Sequence, residues 1–277
     1  MEKPDPVLVT QLFPELLGQL QEVLQGLSPE EWEKPSLNPG WSVRDVALHL
    51  LGGDIGQLSA GRDKLETTFI TTSHWKELVA RLNERNENWV TATRGFSPRL
   101  ICDLLKLLGD QVHLYFESLD PYSTGPVVSW AGPSPAPMWL HIARQYTERW
   151  HHQQQIRETD GRPLLTDPKT FAPVLATFVH ALPRTYEHLT APDATIVKLT
   201  IVGESGGSWF LVRESDTWVL FVDDEVTEAT AHVAIGEEDA WRLFTKSVTK
   251  EEVQPRIRMV GDENLALNAL ETVSMIA

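Results

Sequence analysis

The stretch Ala143-Arg-Gln-Tyr-Thr-Glu-Arg-Trp-His-His-Gln-Gln-Gln-Ile-Arg157 lies inside a helical pattern that runs from residue 138 to about 159. That pattern ends in Asp160-Gly-Arg-Pro163, a stop signal. Trp139, Ile142, Ala143, Tyr146 and Trp150 recur at helical spacing and form its core stripe. Glu148 and His152 stand four residues apart, so one helical face presents both side chains. On a helical wheel that face lies roughly opposite the stripe. The pair is therefore expected in a groove or beneath a second domain rather than in a bundle core, with His151 in solvent. A carboxylate and an imidazole so placed can share a divalent ion, but catalytic zinc takes three protein ligands and a water. The pair is also common on solvated helices, where it binds nothing.

His49 is the candidate third ligand. Its helix is predicted over 42–62, opened by Ser42 and Asp45 as an S-x-x-D capping box ahead of Val43, Val46, Ala47 and Leu50. At about 100° per residue, His49 falls outside this apolar stripe and beside Ser42, Gly53 and Gly56. These small neighbours leave room for an ion or ligand. The alternative for a lone histidine there is a hydrogen-bonded boundary residue.

Outward from these helices, periodicity predicts further ones over 7–27, with a kink at Pro14, and over 73–94 from a Ser73 cap. Others are predicted over 97–119, with Pro98 in the first turn, and over 168–189. Residues 120–137 carry five prolines and two glycines and read as a long loop. Near residue 193 the apolar period changes from helical to alternating. Strands are expected at 196–202, 209–213, 218–222, 231–235 and 256–260, with helices at 237–245 and 265–270. The fold class is α+β in two domains: a helical bundle over 1–192 and a small α+β domain over 193–277.

Twenty-four Lys and Arg against 39 Asp and Glu leave a net charge of −15, which repels nucleic-acid phosphates and anionic lipid surfaces. No basic patch offsets it. One cysteine, Cys102, excludes an intrachain disulfide and a multi-thiolate zinc site. No secretory signal is visible and no apolar run approaches the ~20 residues that span a bilayer, so a cytoplasmic protein is expected. Nucleophile-elbow, P-loop and H-E-x-x-H motifs are missing.

The segments Asn38-Pro-Gly-Trp-Ser-Val-Arg-Asp-Val-Ala-Leu-His-Leu50 and 143–157 resemble the two metal-binding blocks of the DinB-like superfamily. More closely, they resemble the N-terminal domain of mycothiol-dependent maleylpyruvate isomerases. Asn83-Glu-Arg-Asn-Glu-Asn-Trp-Val90, Ser97-Pro-Arg-Leu100 and Val128-Ser-Trp-Ala-Gly132 are similar to connecting blocks of long members. Residues 231–245 and 259–266 resemble the family's sterol-carrier-like C-terminal domain. The resemblance implies a DinB-like four-helix bundle holding a divalent ion, usually zinc, through His49, Glu148 and His152. It also implies a basic residue of the C-terminal domain near the metal. Arg256 or Arg258 is the candidate, gripping a substrate carboxylate, with the alternative that one of them faces solvent on an edge strand. Trp41 and Gly53 are candidates for the thiol-binding wall. A common family version carries an acidic residue three places after the last ligand; here it is Gln155.

The implied activity is metal-dependent activation of a low-molecular-weight thiol, mycothiol or an equivalent, for addition or transfer to a small electrophile. A bound metal lowers a thiol pKa well below ~8.5. Hydrolysis by metal-bound water is a variant in the same site. The reading of a different class is a small-molecule or lipid-binding sensor whose metal is structural. The sequence leaves the oligomeric state open.

Overall fold

The computed structural model describes residues 1–66, 75–223 and 228–275. The chain packs as two compact units. The bundle unit comprises Val9–Asp120 and Tyr146–Leu165; the sheet unit comprises Met1–Leu8, Pro121–Gln145 and Thr166–Ile276.

In the bundle unit, α1 (Phe13–Gln25) carries Pro14 in its first turn, where the missing N–H costs nothing, so the helix starts there instead of kinking. A short α2 (Pro29–Trp32) follows a Ser28–Glu31 capping box. The expected box of Ser42 and Asp45 opens α3 (Val43–Gly56). Beyond Gly56 the helix widens into a π-helical turn, Gln57–Arg62, within the predicted 42–62 span. Then come α4 (Trp75–Thr93) and α5 (Pro98–Glu117), the latter capped by Ser97. The expected cap at Ser73 lies outside the described residues.

The proline-rich segment predicted as a loop contains a two-stranded antiparallel ribbon, β1 (Thr124–Val127) and β2 (Pro135–Pro137). Helix α6 (Met138–Thr159) follows and carries the opening stretch of sequence. Leu20, Val23 and Leu24 of α1, Val46, Ala47 and Leu50 of α3, Val90 of α4, Ile101 and Leu105 of α5 and Ile156 of α6 share one core.

The α6 wheel misled on burial. His151 is 1% exposed and His152 6%, because nearly the whole circumference of the helix is covered, not one stripe. Several of its polar side chains are hydrogen-bonded. Gln154 donates to Leu165 O at 3.1 Å and accepts from Leu165 N at 2.9 Å, and Arg157 donates to Pro163 O at 2.9 Å. A buried polar group costs little when so paired.

In the sheet unit, the single helix expected over 168–189 is broken. It comprises α7 (Pro168–Phe178), a 3-10 turn (Val179–Ala181) and α8 (Leu182–Tyr186), with Pro183 in the first turn of α8. The change from helix to strand comes where the apolar period changes, between Tyr186 and Ile196. The expected domain line at 192/193 falls inside this unit, since α7 and α8 pack with the strands that follow. Tyr186 donates to Leu265 O at 2.6 Å, Trp218 donates to Leu189 O at 3.1 Å, and Phe178 meets Phe244 edge-on.

Strands β3 (Ile196–Val202), β4 (Gly207–Glu214), β5 (Thr217–Phe221), β6 (Ala231–Gly236) and β7 (Arg258–Gly261) form a sheet in the order β5-β4-β3-β6-β7. Only β3 and β6 pair in parallel. Gly206 turns β3 into β4, and a Cβ there would lie 2.0 Å from Ile201 O. Helices α9 (Glu237–Phe244), α10 (Lys250–Val253) and α11 (Glu263–Asn268) complete the unit. Among the described residues no helix is long and apolar enough to cross a membrane.

His180 adds a pH dependence to this unit. Its ring meets Trp139 at 5.2 Å, and its buried Nε2 has no hydrogen-bond partner among the described residues. Burial lowers its pKa from 6.5 to about 4. The folded state therefore binds fewer protons than the unfolded one, and the associated stability, complete above pH 6.5, is lost as pH falls toward 4. Replacing His180 with Phe should flatten thermal stability measured across that window; an unchanged slope would assign the acid sensitivity elsewhere.

Candidate metal centre

The bundle unit holds α3 at three points along its length. Asp45, which caps the helix through Ser42, also accepts from Arg94 at 3.0 and 3.2 Å. One turn on, Trp89 of α4 donates its indole N–H to Leu48 O at 2.7 Å. That approach needs Gly52, where a Cβ would sit 2.6 Å from Trp89 Nε1. Further along, Asp54 pairs with Arg149 of α6, and the Arg149 guanidinium also lies over the Phe13 ring. Burial raises the Asp54 pKa, and the Arg149 charge opposes that shift.

Between these anchors His49 faces α6. Its ring centroid is 4.6 Å from that of His152, at 76° between planes. His152 Nε2 lies 3.5 Å from Glu148 Oε2. One donor atom from each of His49, Glu148 and His152 falls within 4.8 Å of the others. Two zinc–ligand bonds of ~2.0–2.2 Å nearly span that distance, so the three fit one small divalent ion with slight closure. Burial and the neighbouring His152 ring lower the His49 pKa to about 3, keeping its imidazole neutral, the form that ligates.

The ring nitrogens of His152 have separate tasks. Nδ1 lies 2.8 Å from Gln155 Oε1, and Gln155 Nε2 donates to Asn38 Oδ1 at 3.1 Å. An amide oxygen only accepts, so it places the proton on Nδ1 and leaves the Nε2 lone pair facing Glu148 and His49. Gln155, where the resemblance leads to the expectation of an acidic residue, thus orients the His152 ring through its amide. Asn38 was not singled out from the sequence, although it opens the same block as His49; only the fold shows that the two blocks meet.

Trp41 forms one wall, its ring 5.3 Å from that of His49, and is held by donation to Glu87 Oε2 at 2.7 Å. That bond and one from Thr91 lower the Glu87 pKa. Gly53, one turn beyond His49, is exposed, and a Cβ there would meet nothing within 4 Å. The two arginines belong to the sheet unit. Arg256 ends the 3-10 turn Gln254–Arg256 instead of a strand, grips Asp239 at 2.9 and 2.6 Å, and donates to Glu252 O. Arg258 is the exposed first residue of β7.

Residues 13–157, which contain all three converging side chains, match the family model of the mycothiol maleylpyruvate isomerase N-terminal domain. The chain belongs to this family. Crystal structures of a mycothiol-dependent maleylpyruvate isomerase and of a histidine-to-alanine mutant share its fold, each with a TM-score of 0.53. They are 11% and 10% identical, and the match covers 84% of this chain and 86% of theirs. No curated protein matches.

Two outcomes follow from this packing. Asp54→Ala strands the Arg149 charge in the core and should destabilise the protein by about 3–5 kcal/mol in denaturant titration. Gln155→Leu should leave the fold intact and weaken zinc binding about 10- to 100-fold in competition with a chelating dye, by releasing the His152 ring.

Proposed function

We propose that this protein is a metal-dependent enzyme that activates a low-molecular-weight thiol for addition or transfer to a small electrophile, in the manner of a maleylpyruvate isomerase. The convergence of His49, Glu148 and His152 inside the family-matched stretch carries this reading. The three side chains would hold a divalent ion, and zinc is a metal that two imidazoles and a carboxylate bind in catalytic sites. When bound, the ion supplies Lewis acidity that lowers the pKa of a thiol placed beside it.

The chain's own groups do the remaining work. Gln155 and Asn38 fix the His152 ring, and Trp41, braced by Glu87, bounds one side of the centre. Gly53 leaves the α3 surface open for the body of the thiol. Of the two arginines, Arg258 is the better candidate for a substrate carboxylate, because Arg256 is already occupied by Asp239. The thiol sulfur adds to one carbon of an electron-poor double bond, rotation follows about the resulting single bond, and expulsion of the same thiol returns the isomer. If the C–S bond is kept, the product is a thioether and the activity an S-transferase. The names of the structural relatives make mycothiol and maleylpyruvate the first thiol and electrophile to try. The compartment we assign is the cytoplasm, where such thiols stay reduced.

Purified protein incubated with mycothiol and maleylpyruvate should isomerise the substrate, lose turnover on chelation and regain it with one equivalent of zinc per chain. His152→Ala should lose metal and turnover together. Turnover indifferent to chelation would overturn the proposal.

A further inference from the structure

The two histidines of the candidate centre are held in different ways. His152 is oriented by Gln155, whereas among the described residues neither ring nitrogen of His49 has a hydrogen-bond partner. A histidine that binds a metal usually donates its second ring N–H to a fixed acceptor, which sets the ring plane. The His49 ring instead meets two other rings, that of His152 at 4.6 Å and that of Trp41 at 5.3 Å. His152 is itself a candidate ligand, so the contact that can hold His49 from outside the set is the indole of Trp41.

Trp41 closes a turn that starts at Asn38, and its backbone N–H donates to Asn38 O at 3.0 Å. Gly40 takes φ +83°, the left-handed value required of the third residue of a type II turn, and Pro39 suits the second. Asn38 in the same turn accepts from Gln155, so this turn reaches both histidines. Rotation of the indole is opposed by Glu87 of α4, which accepts the Trp41 N–H at 2.7 Å. Glu87 is itself placed by Thr91 Oγ1 at 3.0 Å and by Arg94 at 3.8 Å. An ionised acceptor makes such a bond stronger than a neutral one would. Helix α4 is already joined to α3 through Arg94 on Asp45 and Trp89 on Leu48 O. The Glu87 bond is therefore not needed to seat the helix; what it fixes is the indole.

We propose that Glu87 is a positioning residue of the metal centre, fixing the ring of His49 through Trp41. It touches neither the ion nor a substrate. The inference deepens the proposed function and rests on the metal-binding part of that reading. With the indole released, His49 gains rotamer freedom that must be given up again when it ligates, so the loss falls on ion affinity. Glu87 stands in the 83–90 block, where the sequence gave it no role, because only the pairing of α4 with the turn brings it to Trp41.

The test is zinc affinity of the full-length protein, measured by competition with a chelating dye, with thermal melting of each metal-free variant as the check on folding. Glu87→Leu removes the acceptor and Trp41→Phe keeps a ring without its N–H; each should weaken zinc binding about tenfold. Glu87→Gln, whose amide oxygen accepts the same N–H, should stay within about threefold of wild type. Combining Glu87→Leu with Trp41→Phe should weaken binding by less than about twofold beyond Trp41→Phe, because the carboxylate acts through the indole. Melting of the metal-free Glu87→Leu protein should match wild type, since this carboxylate lies at the surface. Unchanged affinity in both single variants, equal losses in the Gln and Leu variants, or a full further loss in the double variant would overturn the inference. Tight zinc binding by the wild type in that same experiment would leave the proposed function standing. Wild-type protein that binds no zinc would overturn both.

Discussion

The seating of α3 against α6 is the constraint on which the candidate centre depends. One ligand comes from α3 and two from α6, so a rotation of either helix by one residue, ~100°, would separate them. The buried pair of Asp54 and Arg149 resists that rotation, since Arg149 adjoins Glu148 and Asp54 lies just over one turn beyond His49. Removing either partner would leave a charge in the core, a larger penalty than a lost surface ion pair. The close contact of Trp89 with the α3 backbone, allowed by Gly52, fixes the helix from its other side.

Charge within the centre follows from the same economy. With a divalent ion bound, two neutral imidazoles and one carboxylate would leave it a residual +1, which would favour an anionic co-substrate. A carboxylate at position 155 would offset part of that charge through His152; the amide of Gln155 orients the ring without doing so.

Much of this was legible in the sequence because it is local. The Ser42–Asp45 box, the Glu148/His152 spacing and the alternation after residue 196 are all readable within one or two turns or strands. His49 was a candidate from its small helical neighbours, and the resemblance then joined it to the other two, since nothing local ties α3 to α6. Burial around α6 was misread because amphipathic reasoning assumes one wet face, whereas His151, His152 and Gln153 to Gln155 are buried, with Gln153 and Gln155 hydrogen-bonded across the unit to Leu16 O and Asn38. Asn38 and Asp54 owe their places to the pairing of distant segments, which a single sequence does not encode in a short window. Arg256 and Arg258 look equivalent in the sequence, yet one ends a 3-10 turn in an ion pair and the other begins an edge strand with no ion pair among the described residues.

Anomalous diffraction from crystals grown with one equivalent of zinc tests the central claim most directly. A single strong peak is expected at ~2.0–2.2 Å from a ring nitrogen of His49, Nε2 of His152 and a carboxylate oxygen of Glu148, with His152 Nδ1 still on Gln155. A peak bound elsewhere, or no peak at a centre whose three side chains have turned apart, would contradict it.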